Sequence, residues 1–211
     1  MISVSFLNSV YDRKKTISLL NVTEDVELIH VDLMDGKYVN EKNFEIDEIL
    51  KLFKDNKKDL DIHLMTLEPE KYIEKLSTLN PKCITFHPDA TAKPREVIKL
   101  IKSYNINVGI AINSFIDASS YESLYQDIDT LLIMSVKAGY GGQSFLNETY
   151  DKLKYINNIK GNHHFLVEVD GGINLDIYRK LKDYNVDIFV IGSYICMNEN
   201  FERPIKELLK C

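Results

Sequence analysis

The segment Val26 to Asn40, V-E-L-I-H-V-D-L-M-D-G-K-Y-V-N, predicts a buried β-strand that ends in polar groups. Successive side chains of a strand point to opposite faces, so His30, Asp32 and Met34 share one face. The intervening isoleucine, valine and leucine make the other face apolar. A histidine and a carboxylate at the carboxyl end of one face, with an apolar face behind, are typical of a catalytic strand in a parallel barrel. A half-exposed antiparallel strand also alternates, so the pattern predicts a site only if it recurs.

The pattern recurs in two further segments. Asp61 to Met65, D-I-H-L-M, and Val167 to Ile173, V-E-V-D-G-G-I, each place a histidine or a carboxylate on one face and aliphatic side chains on the other. Together the three segments supply four candidate metal ligands: His30, Asp32, His63 and Asp170. This donor set suits one divalent metal ion, with zinc preferred and Fe(II), Mn(II) or Co(II) as alternatives. The wide spacing in sequence argues against a metal motif on a single helix.

Strand-like and helix-like segments alternate along the whole chain. Eight apolar runs predict strands, at Ile2–Leu7, Val26–Asp32, Leu60–Met65, Lys82–Phe86, Asn107–Ala111, Thr130–Val136, Phe165–Asp170 and Asp187–Ile191. Amphipathic segments predict helices at Asn43–Phe53, Pro69–Leu79, Pro94–Tyr104, Glu148–Ile159, Leu175–Asp183 and Phe201–Leu209. Two weaker helical patterns, diluted by β-branched residues and serines, lie at Asp12–Leu20 and Asp117–Tyr125.

Alternating strands and helices predict parallel strands joined by right-handed crossovers. Eight such units close most naturally into a (β/α)8 TIM barrel, and a chain of 211 residues is expected to form it as a single domain over residues 1–211. A doubly wound open sheet is the alternative. That fold would concentrate polar strand ends at one switch point, whereas here they recur on strands one, two, three, four, six and seven, which favours a ring.

Composition excludes several classes of protein. With 45% hydrophobic and 27% charged residues the sequence is typical of a soluble globular protein. A net charge of -6 gives no broad basic surface, which weighs against nucleic acid as a partner. The sequence shows neither a signal-peptide pattern nor a long apolar stretch, so we expect a cytoplasmic protein without a membrane partner. The three cysteines are widely spaced and predict neither a disulfide framework nor a thiolate zinc site.

Glycine turns follow the last three predicted strands. They read A-G-Y-G-G-Q-S-F after strand six, D-G-G-I-N after strand seven and I-G-S-Y-I after strand eight. Glycine lets the backbone approach an anion closely, and barrel enzymes frequently hold a phosphate between these loops and a short extra helix. Ser193 to Met197 is a candidate for that helix. The sequence therefore predicts a phosphate site at Gly141, Gly142, Gly172, Gly192 and Ser193.

Several motifs stand in a fixed order: S-F-L-N at Ser5–Asn8, H-V-D-L-M-D-G at His30–Gly36, D-I-H-L-M at Asp61–Met65, T-F-H-P-D at Thr85–Asp89 and M-S-V-K-A-G-Y-G-G-Q-S-F at Met134–Phe145. With E-V-D-G-G-I and the late G-S pair, they resemble the ribulose-phosphate 3-epimerase family from Ser3 to about Met197. The chain departs from the family pattern in two loops. Lys137 and Ala138 replace the usual Asn-Pro, and Val39-Asn40 lacks the usual intervening proline.

The resemblance implies roles for individual residues. His30, Asp32, His63 and Asp170 would ligate one divalent metal ion per subunit, and Asp32 and Asp170 would also act as the catalytic acid/base pair. It further implies binding of a small ketose phosphate and assembly into a homo-oligomer. The expected substrate-binding residues are Ser5, Met34, His63, Met65, Met134, Gly139, Tyr140, Gly141, Gly142, Gly171, Gly172, Gly192 and Ser193.

The reaction implied by the resemblance is inversion at C3 of D-ribulose 5-phosphate to give D-xylulose 5-phosphate, a step of the pentose phosphate pathway. Two aspartates would exchange the proton on opposite faces of that carbon through a metal-stabilised enediolate. One alternative is 3-epimerisation of a six-carbon ketose phosphate such as allulose 6-phosphate. An alternative of a different class is a non-catalytic barrel that binds sugar phosphates.

Overall fold

The computed structural model describes residues 1–211 and contains eight parallel strands that close into one barrel. The strands are β1 (Ile2–Ser5), β2 (Leu28–Met34), β3 (Asp59–Met65), β4 (Cys83–Phe86), β5 (Asn107–Ile112), β6 (Thr130–Met134), β7 (Leu166–Asp170) and β8 (Ile188–Val190). Each strand pairs with its neighbours in sequence, and β1 pairs with β8 to close the ring. The predicted TIM barrel is confirmed, and the open sheet is excluded.

Helices follow the strands as the alternation predicts. They are α1 (Arg13–Val22), α2 (Ile46–Leu52), α3 (Glu70–Ser77), α4 (Pro94–Ser103), α5 (Thr149–Ile159), α6 (Leu175–Leu181), α7 (Ser193–Cys196) and α8 (Glu202–Leu209). The Asp12 side chain caps α1 by accepting a hydrogen bond from the N–H of Lys15. None of the helices combines the length and the apolar character needed to cross a lipid bilayer.

One predicted helix is wrong in type. The segment expected to be helical at Asp117–Tyr125 forms a 3₁₀ helix at Ala118–Asp127, with a kink at Tyr121. Serine side chains compete for backbone hydrogen bonds, and tyrosine side chains lose rotamer freedom in an α-helix. The intrinsic preference of this segment for a long α-helix is therefore low. The short helix predicted at Ser193–Met197 is present as α7.

The two faces of the barrel strands have different environments. Outward side chains such as Ile29, Val31 and Leu33 are fully buried against the helices in the main hydrophobic core. Inward side chains near the carboxyl ends include Met34, Met65 and Met134, which pack in a separate apolar cluster inside the barrel. The alternation of β2 therefore separates a structural face from a face that opens toward the mouth of the barrel.

Candidate active site and metal centre

The four predicted metal ligands converge at the mouth of the barrel. Strand β2 carries His30 and Asp32, and the register of β2 and β3 places His63 directly beside Asp32. Asp170 ends β7 across the barrel. One donor atom from each of the four lies within 4.8 Å of the others. The shortest approaches to Asp32 Oδ1 are 3.1 Å from His63 Nδ1 and 3.3 Å from His30 Nε2.

The residues at this point fit a divalent cation. His30 Nδ1 lies 2.7 Å from Asp61 Oδ2, while His30 Nε2 is buried and has no hydrogen-bond partner. A buried polar atom without a partner is costly, and this one faces a carboxylate and a second imidazole. Two imidazole nitrogens and two carboxylate oxygens form a donor set that zinc and other first-row divalent metals accept. The cluster could therefore hold one such ion.

A second polar layer supports His30 from below. Ser3 Oγ donates a hydrogen bond of 2.8 Å to Asp61 Oδ2, which in turn contacts His30. Glu168 is also buried, with a carboxyl oxygen 3.8 Å from His30 Nδ1. Burial and the charge of Asp61 raise the pKa of Glu168 well above its usual value. Burial opposes ionisation of Asp61, but the adjacent His30 ring lowers the pKa of this carboxyl group, so Asp61 is the charged partner of that ring.

The two central carboxylates differ in proton affinity. Burial opposes ionisation of Asp32, but the adjacent His30 and His63 hold the pKa of Asp32 well below its usual range. Burial and the charge of Asp32 raise the pKa of Asp170 to about 6. Such a separation of two carboxyl groups in one site is a pattern found where one group acts as a base and the other as an acid.

An open cavity of about 390 Å³ lies above this cluster. It is lined by every predicted substrate-binding residue except His63, which is buried below the cavity floor: Ser5, Met34, Met65, Met134, Gly139, Tyr140, Gly141, Gly142, Gly171, Gly172, Gly192 and Ser193. Asp32 and Asp170 also line it. The lining combines apolar methionine side chains with glycine turns. That combination suits a small polar molecule with an anionic end.

The glycine turns present free backbone donors. The N–H groups of Gly141, Gly142, Gly172, Gly192 and Ser193 make no hydrogen bond within the protein. Gly172 has a positive φ of 64°, and a Cβ atom at this residue would lie 2.4 Å from the backbone nitrogen of Phe145. Only glycine fits that turn without a shift of the backbone. The predicted phosphate loops therefore meet on one side of the cavity, with unpaired donors available to an anion.

Asn8 belongs to the same side of the cavity but was not among the predicted site residues. Its Nδ2 lies 3.5 Å from Ser193 Oγ, and it also lines the cavity beside Gly141 and Gly142. An amide group here adds one more donor next to the glycine loops. The S-F-L-N motif contains Asn8, but a short loop after a strand gives no periodic signal from which its direction could be predicted.

A further group of polar and aromatic residues lies on the side of His63 that faces away from Asp32. His87 Nε2 is 2.9 Å from His63 Nε2, and the ring of Tyr38 packs on His87 with a centroid separation of 4.8 Å. The Tyr38 hydroxyl donates a hydrogen bond to Asp89 and accepts one from Asn113. Burial and the neighbouring His63 lower the pKa of His87 well below its usual value, so the ring is neutral. The T-F-H-P-D motif contains His87 and Asp89, but the sequence alone predicts no role for either residue.

The two departures from the family pattern lie at the cavity rim. Lys137 is exposed and lines both the main cavity and a neighbouring depression beside Tyr38, while Ala138 is buried. The loop after β2 rests on the loop after β6, because a Cβ atom at Gly139 would lie 3.2 Å from the Cβ of Val39. These residues shape the entrance and leave the metal cluster unchanged.

Comparison with known proteins identifies a family whose sequences this chain matches. A model of the "Ribulose-phosphate 3 epimerase family" matches residues 1–196. The chain is 35% identical over 192 residues to a ribulose-phosphate 3-epimerase of Buchnera aphidicola, which covers 87% of this chain and 84% of that protein. It is 32% identical to the Helicobacter pylori (strain J99) enzyme of the same name, covering 87% and 86% of the two chains.

Solved structures show the same fold at much lower identity. The tryptophan synthase α-subunit of Pyrococcus furiosus matches with a TM-score of 0.73 and 13% identity, covering 100% of this chain and 98% of that one. The structure titled KGPDC from Streptococcus mutans matches with a TM-score of 0.69 and 14% identity, covering 99% and 95%. These likenesses show a shared barrel architecture and no more.

Proposed function

The chain belongs to the ribulose-phosphate 3-epimerase family, and we propose that it inverts C3 of D-ribulose 5-phosphate to give D-xylulose 5-phosphate. The observation that carries the proposal is the placement of Asp32 and Asp170. Both carboxyl groups belong to the cluster of candidate metal ligands, and both line the cavity that the glycine loops also line. A barrel that only binds sugar phosphates would have no need for two carboxyl groups from β2 and β7 that face one cavity.

Inversion next to a ketone requires loss of a proton from one face of the carbon and gain of a proton on the other. Asp32, which is ionised, would take the proton from C3 of ribulose 5-phosphate. Asp170, which ends β7 across the barrel, would deliver a proton to the opposite face. The roles reverse in the back reaction. The proton removed and the proton returned are therefore held by different side chains.

A divalent cation held by His30, Asp32, His63 and Asp170, with zinc preferred, would supply electrostatic stabilisation of the negative charge that develops on the substrate oxygens. The methionine wall of Met34, Met65 and Met134 would exclude water from C3, and a drier site strengthens that stabilisation. The free N–H groups of the glycine loops would hold the phosphate.

The experiment that tests the proposal measures epimerase activity of the zinc-loaded protein and of two variants. We expect Asp32→Asn and Asp170→Asn each to lower kcat by about 10²–10⁴-fold, because each removes one proton-transfer group. Circular dichroism should show an unchanged fold. Asp176→Asn is the matched control, because Asp176 is an exposed carboxylate on the helix after β7. Activity within tenfold of the wild type in either test variant would contradict the two-base scheme.

A six-carbon ketose phosphate is the second candidate substrate, because Lys137 and Ala138 alter the rim of the cavity. The value of kcat/KM for ribulose 5-phosphate should exceed that for allulose 6-phosphate if the five-carbon assignment is correct. The reverse order would move the proposal to the larger sugar. A cytoplasmic location and assembly into a homo-oligomer are further predictions carried over from the sequence and the family.

A further inference from the structure

We propose that His87 is a positioning residue for the metal centre: it accepts a hydrogen bond from the Nε2–H of His63 and thereby turns His63 Nδ1 toward the metal site. This inference rests on the proposed function, because that function requires a cation at the cluster. His87 does not line the substrate cavity and is not one of the four candidate ligands, but its ring contacts one of them, His63. It acts only through His63.

The geometry accounts for both nitrogens of the His63 ring. Nδ1 lies 3.1 Å from Asp32 Oδ1, which places Nδ1 on the side of the ligand cluster. Nε2 lies 2.9 Å from His87 Nε2, on the opposite side. Two imidazole nitrogens at this distance share one proton, so one ring donates and the other accepts. A cation at Nδ1 leaves the proton of His63 on Nε2, so His63 must donate and His87 must accept.

His30 is oriented in the same way, but its outer partner is a carboxylate and not an imidazole. Asp61 contacts Nδ1 of His30, which leaves Nε2 facing Asp32. The two histidines would therefore bind the cation through opposite ring nitrogens, each selected by its outer neighbour. The Asp61 carboxylate occupies Nδ1 of His30 and leaves Nε2 for the cation, whereas the His87 ring occupies Nε2 of His63 and leaves Nδ1 for the cation.

The surroundings of His87 fix its ring. The side chain is fully buried just beyond β4, beside the β3 strand that carries His63. Tyr38 covers it, and that tyrosine is tied to Asp89 and Asn113 by hydrogen bonds of 3.0 and 2.6 Å. The loop after β2 therefore covers the outer side of the metal centre through the contact between the Tyr38 and His87 rings.

Zinc affinity tests the role of the acceptor. We compare the wild type with His87→Phe, which keeps an aromatic ring but has no acceptor, and His87→Gln, whose amide oxygen can accept. Loss of an outer partner of a metal-binding histidine typically costs 10–100-fold in affinity. Competition with a chelator should show that loss for His87→Phe and a smaller one for His87→Gln. His164→Gln, at an exposed histidine, is the matched control.

The ring tautomers separate a positioning role from simple packing. Nitrogen-15 NMR of the zinc-loaded wild type should show His63 protonated at Nε2 and His87 protonated at Nδ1. Protonation of His87 at Nε2 would overturn the inference, and so would His87→Phe with wild-type zinc affinity. If the wild type itself binds no zinc, the metal-dependent function falls together with this inference. If it binds zinc and His87→Phe binds equally well, only the role of His87 falls.

Discussion

Asp32 and Asp170 line one cavity in different electrostatic surroundings. Asp32 contacts the His63 ring and lies beside His30, and these two rings favour its ionised form. Asp170 makes no hydrogen bond through its side chain, so burial and the charge of Asp32 act on it without a compensating donor. In the protein stripped of metal, an ionised Asp170 is therefore destabilising, a cost that a bound cation would offset.

This asymmetry predicts that Asp170→Asn stabilises the chelator-treated protein at alkaline pH. The pKa of Asp170 is raised in the folded state, so its ionised form costs folding free energy above about pH 6, and the cost fades as pH falls through that value. A neutral asparagine at this position removes that cost in folding free energy. We expect a gain in Tm of roughly 2–6 °C at pH 8, allowing for partial exposure, and a smaller gain at pH 5.

Differential scanning calorimetry of the chelator-treated protein at the two pH values checks this. Asp176→Asn should leave Tm unchanged at both, because that carboxylate is exposed. An unchanged or lower Tm for Asp170→Asn at pH 8 would show that Asp170 carries no electrostatic penalty. In the zinc-loaded protein the Tm of Asp170→Asn should instead be lower than that of the wild type, since the variant loses a proposed metal ligand.

Which single residues could be predicted depended on strand periodicity. His30, Asp32 and His63 sit on regular strands, where alternation fixes the face of each side chain. Asp61 and Glu168 lie on the same inward faces, but their depth below the mouth depends on the shear of the closed barrel, which local sequence does not reveal. His87 follows the end of β4, beyond the last residue whose direction the alternation fixes.

At the scale of elements, the loops after β6, β7 and β8 form one side of the cavity by direct contact with each other. Gly172 in the loop after β7 packs against the backbone of Gln143 and Phe145 in the loop after β6. After β8, Gly192 packs on Ser5 of β1, and a Cβ atom at Gly142 in the loop after β6 would lie 3.9 Å from Ser193 Oγ. A change in one turn is therefore transmitted to its neighbours.

Gly172→Ala tests this contact. The residue has a positive φ, and an added Cβ would meet backbone atoms at 2.4 and 2.8 Å that cannot move independently. We expect destabilisation of about 1–3 kcal/mol and a raised KM for the phosphorylated substrate, with a smaller change in kcat. Steady-state kinetics and thermal melting measure the three quantities. Gly161→Ala is the control, because nothing lies within 4 Å of a Cβ at that glycine. A wild-type KM for Gly172→Ala would argue against phosphate binding by these loops.

Most elements could be predicted because their periodicity is strong. All eight strands and seven of the helical segments follow the alternation of apolar residues, with ends that differ by a few residues. The exception, Ala118–Asp127, is a segment where intrinsic propensity is low and packing against the barrel decides the conformation. The loop after β2 could not be predicted, since Tyr38 is placed by tertiary hydrogen bonds to Asp89 and Asn113.

At the scale of the whole molecule, barrel closure creates the site. His30 and Asp170 are far apart in sequence, and only a ring of eight strands brings β2 and β7 to opposite sides of one cavity. The repeated polar strand ends were sufficient to predict that closure. The oligomeric state has no comparable signal, because surface residues carry no periodic constraint.

Because the proposed ligands come from β2, β3 and β7, a bound ion should stabilise the whole barrel. An ion that binds only the folded state at about 1,000 times its Kd adds roughly 4 kcal/mol to the free energy of unfolding. For a chain of this size that corresponds to a rise in Tm of roughly 8–16 °C. Thermal melting with zinc and with chelator measures it. Equal melting temperatures would contradict an ion site shared by three strands.

The most direct test of the central claim is proton NMR of the zinc-loaded protein with D-ribulose 5-phosphate in heavy water. Exchange between two carboxyl groups and solvent predicts that D-xylulose 5-phosphate appears with deuterium at C3. Asp32→Asn and Asp170→Asn should each slow its formation by about 10²–10⁴-fold. Formation of xylulose 5-phosphate that retains the original C3 proton, or no conversion with zinc confirmed bound, would contradict epimerisation by the two aspartates.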